Sequence, residues 1–105
     1  MATSIVVTAE FTPKAGTFDE LVNVLSDAVA EVHGEEGCLL YAIHRHPDGR
    51  IIMIEKWASA ELLDAHGSSS AVQRLNAQAG PLLAGPVIVT RLAPIPAGTD
   101  AQGLL

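Results

Sequence analysis

The spacing of hydrophobic residues changes along the chain, and each spacing predicts a different element. Residues 5–11, rich in β-branched side chains, predict a first strand. From Phe18 to Val32, apolar residues recur every three or four positions, the repeat of one helix face. The sequence TFDE at residues 17–20 has the form of a capping box, in which Thr17 and Glu20 satisfy free amides at the helix start. Gly34 is placed to end this helix.

A hairpin follows the helix. Residues 38–46 and 51–57 predict two strands, joined by a turn over residues 47–49 whose proline and glycine suit a three-residue loop. This loop length places Tyr41 opposite Glu55 on the paired strand. One face of the hairpin then carries Tyr41, Ile43, Met53, Glu55 and Trp57, and the other carries His44 and His46.

The last third of the chain predicts two short helices and a strand. Ser59 is a good N-cap for a helix that runs through Leu62 and Leu63 to His66, and residues 71–79 predict another helix with Val72 and Leu75 inside. Residues 87–92 predict the final strand. We expect residues 1–92 to form one domain. Residues 93–105 lack periodicity, and we expect them to be a flexible tail or to cross a partner.

This order of elements predicts an α+β fold with a ferredoxin-like β-α-β-β-α-β arrangement and a four-stranded antiparallel sheet. The helices can cover only one face of such a sheet. The strand segments IVV, IIMI and VIV do not alternate apolar with polar residues, as they would if the other face were wet. We therefore expect two chains to pack sheet against sheet as a two-fold homodimer.

Composition narrows the range of functions. The chain has 105 residues, 49% of them apolar, and a net charge of −6, which argues against nucleic acid as a partner. Cys38 is the single cysteine, so no internal disulfide forms. No apolar run is long enough for a membrane helix. The first ten residues lack the basic start of a signal peptide, so a cytoplasmic location is expected.

Three stretches resemble the antibiotic biosynthesis monooxygenase family, whose members are small dimeric α+β-barrel proteins. They are EEGCLLYAIHRH at residues 35–46, EKWASAELLDAH at residues 55–66, and SAVQRL at residues 70–75. The resemblance spans residues 5–92. It implies the dimeric barrel fold. The activities in such a family include cofactor-free oxidation of aromatic compounds, quinol oxidation, haem degradation and isomerisation of small sugars.

Two departures from the family pattern bear on function: the first motivates the alternative of a binding protein without turnover, and the second favours quinol-type chemistry over haem degradation. Many members carry a second histidine where this chain has Ala71. The haem-degrading members carry an asparagine where this chain has Ala9, and a tryptophan and a histidine at the positions of His66 and Asn76.

His66 is the preferred candidate for a general base. An imidazole titrates near neutral pH and can accept a proton from a phenolic hydroxyl. Its alternative role is to stabilise the C-terminus of its helix. Trp57 could form a flat wall for an aromatic ring, but ordinary core packing at the strand end is the favoured role, and the two roles are compatible.

Glu55 would place a carboxyl group on a covered sheet face, where it must be paired or protonated. It could relay protons or orient His66, or it could form a structural hydrogen bond to Tyr41 or a salt bridge to an arginine of a second chain. Tyr41 has the same two interpretations. The remaining candidates for substrate contact are Leu62, Met53 and Asn76, with Arg74 and Arg91 as further polar groups.

His44 and His46 have a spacing that can ligate a metal, but no third ligand is apparent, and no metal site is predicted. Cys38 is expected to be a small buried hydrophobic residue. No nucleotide-binding motif occurs in the chain. The lead hypothesis is a cofactor-independent monooxygenase that oxidises a quinol or polyphenol with dioxygen. The alternatives are a non-catalytic or stress-protective binding dimer and an isomerase of a small metabolite.

Overall fold

The computed structural model describes residues 4–105, so the first three residues of the predicted domain lie outside it. In this part of the chain, helices and strands follow one another in the predicted order, with two short elements added: a 3-10 helix at Gly80–Leu82 before the last strand, and a helix at the end. Their bounds are β1 Ile5–Phe11, α1 Phe18–Val32, β2 Cys38–Arg45, β3 Ile51–Trp57, α2 Ala60–Gly67, α3 Ser70–Ala79, β4 Ile88–Leu92 and α4 Asp100–Gly103.

The four strands form one antiparallel sheet in the order β2-β3-β1-β4. The predicted ferredoxin-like fold is therefore confirmed. The hairpin has the predicted register, with Tyr41 opposite Glu55. Its turn closes through a 2.8 Å hydrogen bond from the amide of His46 to the carbonyl of Arg50. Gly49 lies in the turn at φ +94°, a conformation that side chains with a Cβ atom rarely adopt.

The helices cover one face of the sheet, and the strands sort their side chains accordingly. Along β3, buried residues alternate with half-buried ones, and the buried positions are Ile51, Met53, Glu55 and Trp57. The opposite face, which we call the open face, carries Ile52 and Ile54 half-buried, together with Ile88 and Leu92, which are 56% and 46% exposed. The homodimer expected to cover this face stays a prediction.

The predicted capping box at the start of α1 is wrong. The Thr17 hydroxyl does not bond a helix amide; it lies 2.8 Å from the carbonyl oxygen of Lys14 and 2.9 Å from that of Leu82. A contact with a distant loop has thus taken the side chain that local pattern assigned to the helix. Gly34 does not adopt a left-handed conformation either, because the amides of residues 33–35 bond the last helix carbonyls directly.

The two short helices begin on serines. Ser59 caps α2 as predicted, since its side chain accepts a hydrogen bond of 3.2 Å from the amide of Leu62. Ser69 caps α3 in the same way through the amide of Val72, so α3 begins one residue earlier than predicted. The helix α4 lies in the segment predicted to lack structure. Whether residues 93–105 cross a partner stays a prediction. Between residues 4 and 105, no helix is long and apolar enough to cross a membrane.

Candidate active site

A cavity of about 350 Å³ lies between the sheet and the helices α2 and α3. Its floor is formed by β1 and β4, and small side chains such as Ala9 leave the space open. Its walls come from the helices, and its inner end from the hairpin strands. The lining residues are Val7, Ala9, Phe11, Tyr41, Glu55, Leu63, His66, Gly67, Val72, Leu75, Asn76, Val87, Val89 and Arg91.

His66 projects from the last turn of α2 into this cavity and is 7% exposed. Its Nδ1 atom lies 3.0 Å from Oε1 of Glu35, a residue of the loop between α1 and β2. Its Nε2 atom lies 4.0 Å from Oε1 of Glu55. A carboxylate can only accept a hydrogen bond, so Nδ1 donates to Glu35. In the neutral ring, Nε2 is then free to accept a proton on the cavity side.

Glu55 is 5% exposed and reaches the cavity from β3. Burial raises the pKa of its carboxyl group; the hydrogen bond from Trp57 and the nearby His66 act in the opposite direction, and Glu35 raises it further. The indole Nε1–H of Trp57 donates this bond at 2.9 Å. Trp57 therefore holds Glu55, and the structural hydrogen bond expected between Glu55 and Tyr41 is not formed.

Two aromatic rings lie against the imidazole of His66. The Trp57 ring lies 4.5 Å from the His66 ring between centroids and is tilted by 31°. The Tyr41 ring stands edge-on to His66, at 5.3 Å and 72°. Burial, and then the charges of Glu55 and Glu35, raise the pKa of the Tyr41 phenol well above its ordinary value. At neutral pH, Tyr41 is therefore a hydrogen-bond donor rather than a base.

The sequence model of the antibiotic biosynthesis monooxygenase family matches residues 4–78 of this chain. The chain belongs to this family. A relative in Mycobacterium tuberculosis, "Putative monooxygenase Rv0793", is 32% identical over 96 residues, which are 90% of this chain and 95% of the relative.

Solved structures of the family have the same fold. The structure of Rv0793 aligns with a TM-score of 0.85 and 31% identity, over 92% of this chain and all of the other. A family protein from Caulobacter crescentus CB15 aligns with a TM-score of 0.84 and 28% identity, over 90% of this chain and 92% of the other. These relatives support the fold expected from the family resemblance.

Of the other residues predicted at the site, one lines the cavity and three do not. Asn76 lines the cavity from α3, as expected. Met53 and Trp57 are fully buried in the core, and neither is among the lining residues. Leu62 does not line the cavity either, because its side chain packs against Gly37: a Cβ atom built on that glycine would lie 2.5 Å from Leu62 Cδ1.

The remaining polar candidates separate into one cavity residue and several distant ones. Arg91 lines the cavity and lies 2.7 Å from Asp64 of α2. Arg74 is bound to Glu31 on the outer surface. His46 contacts Asp48 in the hairpin turn, and within residues 4–105 no three His, Cys, Asp or Glu side chains are placed to hold a metal ion. Cys38 is only half-buried rather than enclosed.

Glu35 is the residue that the sequence did not reveal. It lies in a loop, where neither helical nor strand periodicity assigns a face, and only the fold brings it to His66. Its second carboxylate oxygen lies 3.4 Å from the hydroxyl of Ser69, which also caps α3. The family stretch EEGCLLYAIHRH begins with this residue.

Proposed function

We propose that this chain is a cofactor-independent monooxygenase that oxidises a small aromatic hydroxyl compound, a quinol or polyphenol, with dioxygen. One observation carries the proposal: His66 is anchored through Nδ1 to Glu35 and turns Nε2 towards a largely apolar cavity beside Glu55. A base fixed in this way suits removal of a proton from a phenolic hydroxyl. The cavity volume of about 350 Å³ is in the range of small-molecule pockets.

In the proposed reaction, Nε2 of His66 takes the hydroxyl proton and the substrate becomes an electron-rich anion. Glu35 stabilises the imidazolium that results, because its carboxylate lies 3.0 Å from Nδ1. The phenol of Tyr41 keeps its proton and can donate a hydrogen bond to the substrate oxyanion. The imidazolium of His66 and the phenol of Tyr41 then both stabilise the deprotonated substrate.

The substrate anion then reduces dioxygen and supplies all four electrons itself. One oxygen atom is retained in the product as a quinone-type carbonyl oxygen, and the other leaves as water. The leaving oxygen needs two protons, and the substrate releases two. Glu55 is suited to carry one of them because its pKa is raised by burial and because it lies 4.0 Å from Nε2 of His66. The apolar walls limit the water that would compete for these protons.

The test is oxygen uptake with a panel of quinols, followed by mass spectrometry of products formed under ¹⁸O₂. We expect uptake above the uncatalysed rate, with one labelled oxygen atom in the product, and loss of this uptake in His66→Gln. His46→Gln is the matched control because His46 lies at the hairpin turn, where it contacts Asp48, and does not line the cavity. Uptake no faster than the uncatalysed rate, or equal rates in both variants, would refute the proposal and leave a binding function without turnover.

An isomerase of a small metabolite is the second candidate. The observation that favours it is the pair of proton carriers, Nε2 of His66 and the carboxyl group of Glu55, 4.0 Å apart at the same end of the cavity. Such a pair can remove a proton from one carbon and return it to the next. Solvent deuterium in recovered substrate, without oxygen consumption, would support isomerisation over oxidation.

We also propose that the chain works as a homodimer through the open face of its sheet. Ile52 and Ile54 lie at its centre and Ile88 and Leu92 at its edge. Helices α1 to α3 lie on the other face, and the C-terminal segment approaches the end of the open face at Val6 and Leu92. Sedimentation should give twice the mass of one chain. Ile54→Glu should shift the equilibrium towards the monomer, whereas an unchanged mass near 11.0 kDa for the wild type would refute the dimer.

A further inference from the structure

One row of side chains crosses the whole sheet beneath the cavity. Tyr41 pairs with Glu55, Glu55 pairs with Val7, and Val7 pairs with Arg91. All four residues line the cavity. Neighbouring strands are about 4.8 Å apart, so Glu55 and Arg91, separated by one strand, are about 10 Å apart along the row. Val7, the residue between them, is 1% exposed and apolar. A flat ligand lying over Val7 would therefore have Glu55 at one end and Arg91 at the other.

The two ends of this row differ in charge. The inner end holds Glu55 and, behind His66, Glu35, together with a phenol that stays protonated. A carboxylate that stays ionised is disfavoured there, whereas a neutral hydroxyl group can enter and give up its proton to His66. Arg91 is the one lysine or arginine among the residues that line the cavity. A ligand with a hydroxyl group and an anionic group therefore has one favourable orientation, with the hydroxyl towards His66 and the anion towards Arg91.

Arg91 is available for such a ligand despite its ion pair with Asp64. The contact joins one guanidinium nitrogen, Nη2, to Oδ1 of Asp64 at 2.7 Å. The two side chains are 51% and 65% exposed, and ion pairs as exposed as this one contribute little stability. A guanidinium has five N–H donors, so most of them stay free. Asp64 holds the side chain beside the cavity, and a ligand carboxylate can share or replace that contact.

We propose that Arg91 determines substrate class by binding an anionic substituent, so that the preferred substrate is a hydroxylated aromatic carboxylate. The proposal rests on the proposed function, since it assigns the hydroxyl end of the same substrate to His66. Arg91 here is a binding residue and takes no part in proton transfer. Asp64 competes with the ligand for Arg91 and so sets how tightly the anion is bound.

The test compares 2,5-dihydroxybenzoate with methylhydroquinone, which differ in a carboxylate against a methyl group. Binding is measured under nitrogen, without turnover, through the fluorescence of Trp57, the single tryptophan and a ring neighbour of His66. We expect Arg91→Gln to weaken binding of the carboxylate by about tenfold and binding of methylhydroquinone by less than about twofold. Asp64→Asn should tighten binding of the carboxylate. Arg74→Gln, which removes an arginine paired on the outer surface, is the matched control.

Equal losses for both compounds in Arg91→Gln, or no loss for either, would overturn the proposal. So would tighter binding of methylhydroquinone than of the carboxylate by the wild type. Raising the salt concentration should weaken binding of 2,5-dihydroxybenzoate and leave binding of methylhydroquinone unchanged, because salt screens the charge of the exposed guanidinium. Oxygen uptake is measured separately. Charge-selective binding without uptake would refute the proposed oxidation and leave the role of Arg91 standing. Uptake with 2,5-dihydroxybenzoate that is equal in the wild type and Arg91→Gln at subsaturating substrate would do the reverse.

Discussion

Replacing Glu35 with glutamine tests whether His66 acts as an oriented base. Glutamine has nearly the same shape, so its side-chain oxygen can still accept the hydrogen bond from Nδ1 that spans 3.0 Å in the wild type. The orientation of the ring is then kept. What is lost is the negative charge that stabilises the imidazolium formed when Nε2 takes the substrate proton.

The size of the loss follows from the burial of the two groups. A hydrogen bond to a charged group contributes about 1.5–3 kcal/mol, and a neutral one about 1 kcal/mol. The side chains of His66 and Glu35 are 7% and 21% exposed, so solvent screens part of the charge effect. We expect a net cost of about 1–2 kcal/mol in the transition state. This corresponds to a fall in kcat/KM of about 5- to 30-fold.

The assay is quinol-dependent oxygen uptake, with kcat and KM determined separately. In Glu35→Gln, the loss should fall on kcat and leave KM within about twofold, because the negative charge acts only once the imidazolium forms. A purely structural role for Glu35 would lower the melting temperature without a selective loss of kcat. Glu36→Gln is the control, because Glu36 is exposed beside Glu35. If kcat/KM changes by less than about twofold, the assignment of His66 as an oriented base is wrong.

Three further predictions concern stability and the cavity. Because the pKa of Glu55 is raised in the folded state, the free energy of unfolding should fall as pH rises from the ordinary glutamate pKa through the raised one. Glu55→Gln should therefore have a higher melting temperature than the wild type at pH 8. A series of melting curves should show this difference vanish below about pH 4, where the carboxyl group is protonated in both the folded and the unfolded state. Gly37→Ala would place a Cβ atom on a residue with φ +83° and within 2.5 Å of Leu62, so denaturant unfolding should show a free energy of unfolding lower by about 2–4 kcal/mol. For Gly49→Ala, where a Cβ atom meets no other atom, the decrease should be about 1–2 kcal/mol. Equal losses would contradict the packing argument. Ala9→Leu should fill the cavity floor and abolish ligand binding in a fluorescence titration; binding at wild-type affinity would place the ligand elsewhere.

Strand positions and register could be predicted because they depend on local chemistry. The proline and glycine of the hairpin turn fix its loop length, and loop length fixes which residues face each other, so the pairing of Tyr41 with Glu55 follows from sequence. Helix ends were less predictable. Thr17 bonds the carbonyl of Leu82, which is 65 residues away, and no local pattern reports such a contact.

The candidate site was predictable to the extent that sheet faces are. Alternation along the strands placed Tyr41 and Glu55 on the covered face, and helical spacing turned His66 towards them. Which of these side chains line the cavity depends on packing distances that a sequence pattern does not report. Trp57 was expected as a cavity wall, yet the structure places it behind His66 and Glu55, where it contacts both. Glu35 could not be placed, because a loop has no periodicity from which a face can be assigned.

The alternation of β1 also separates the two surfaces to which function is assigned. Val7 and Ala9 line the cavity, whereas Thr8, the residue between them, lies on the open face. A ligand and a second chain would therefore contact the same strand without sharing a side chain. Substitutions on the open face, such as Ile54→Glu, can therefore test the dimer without removing a side chain from the cavity.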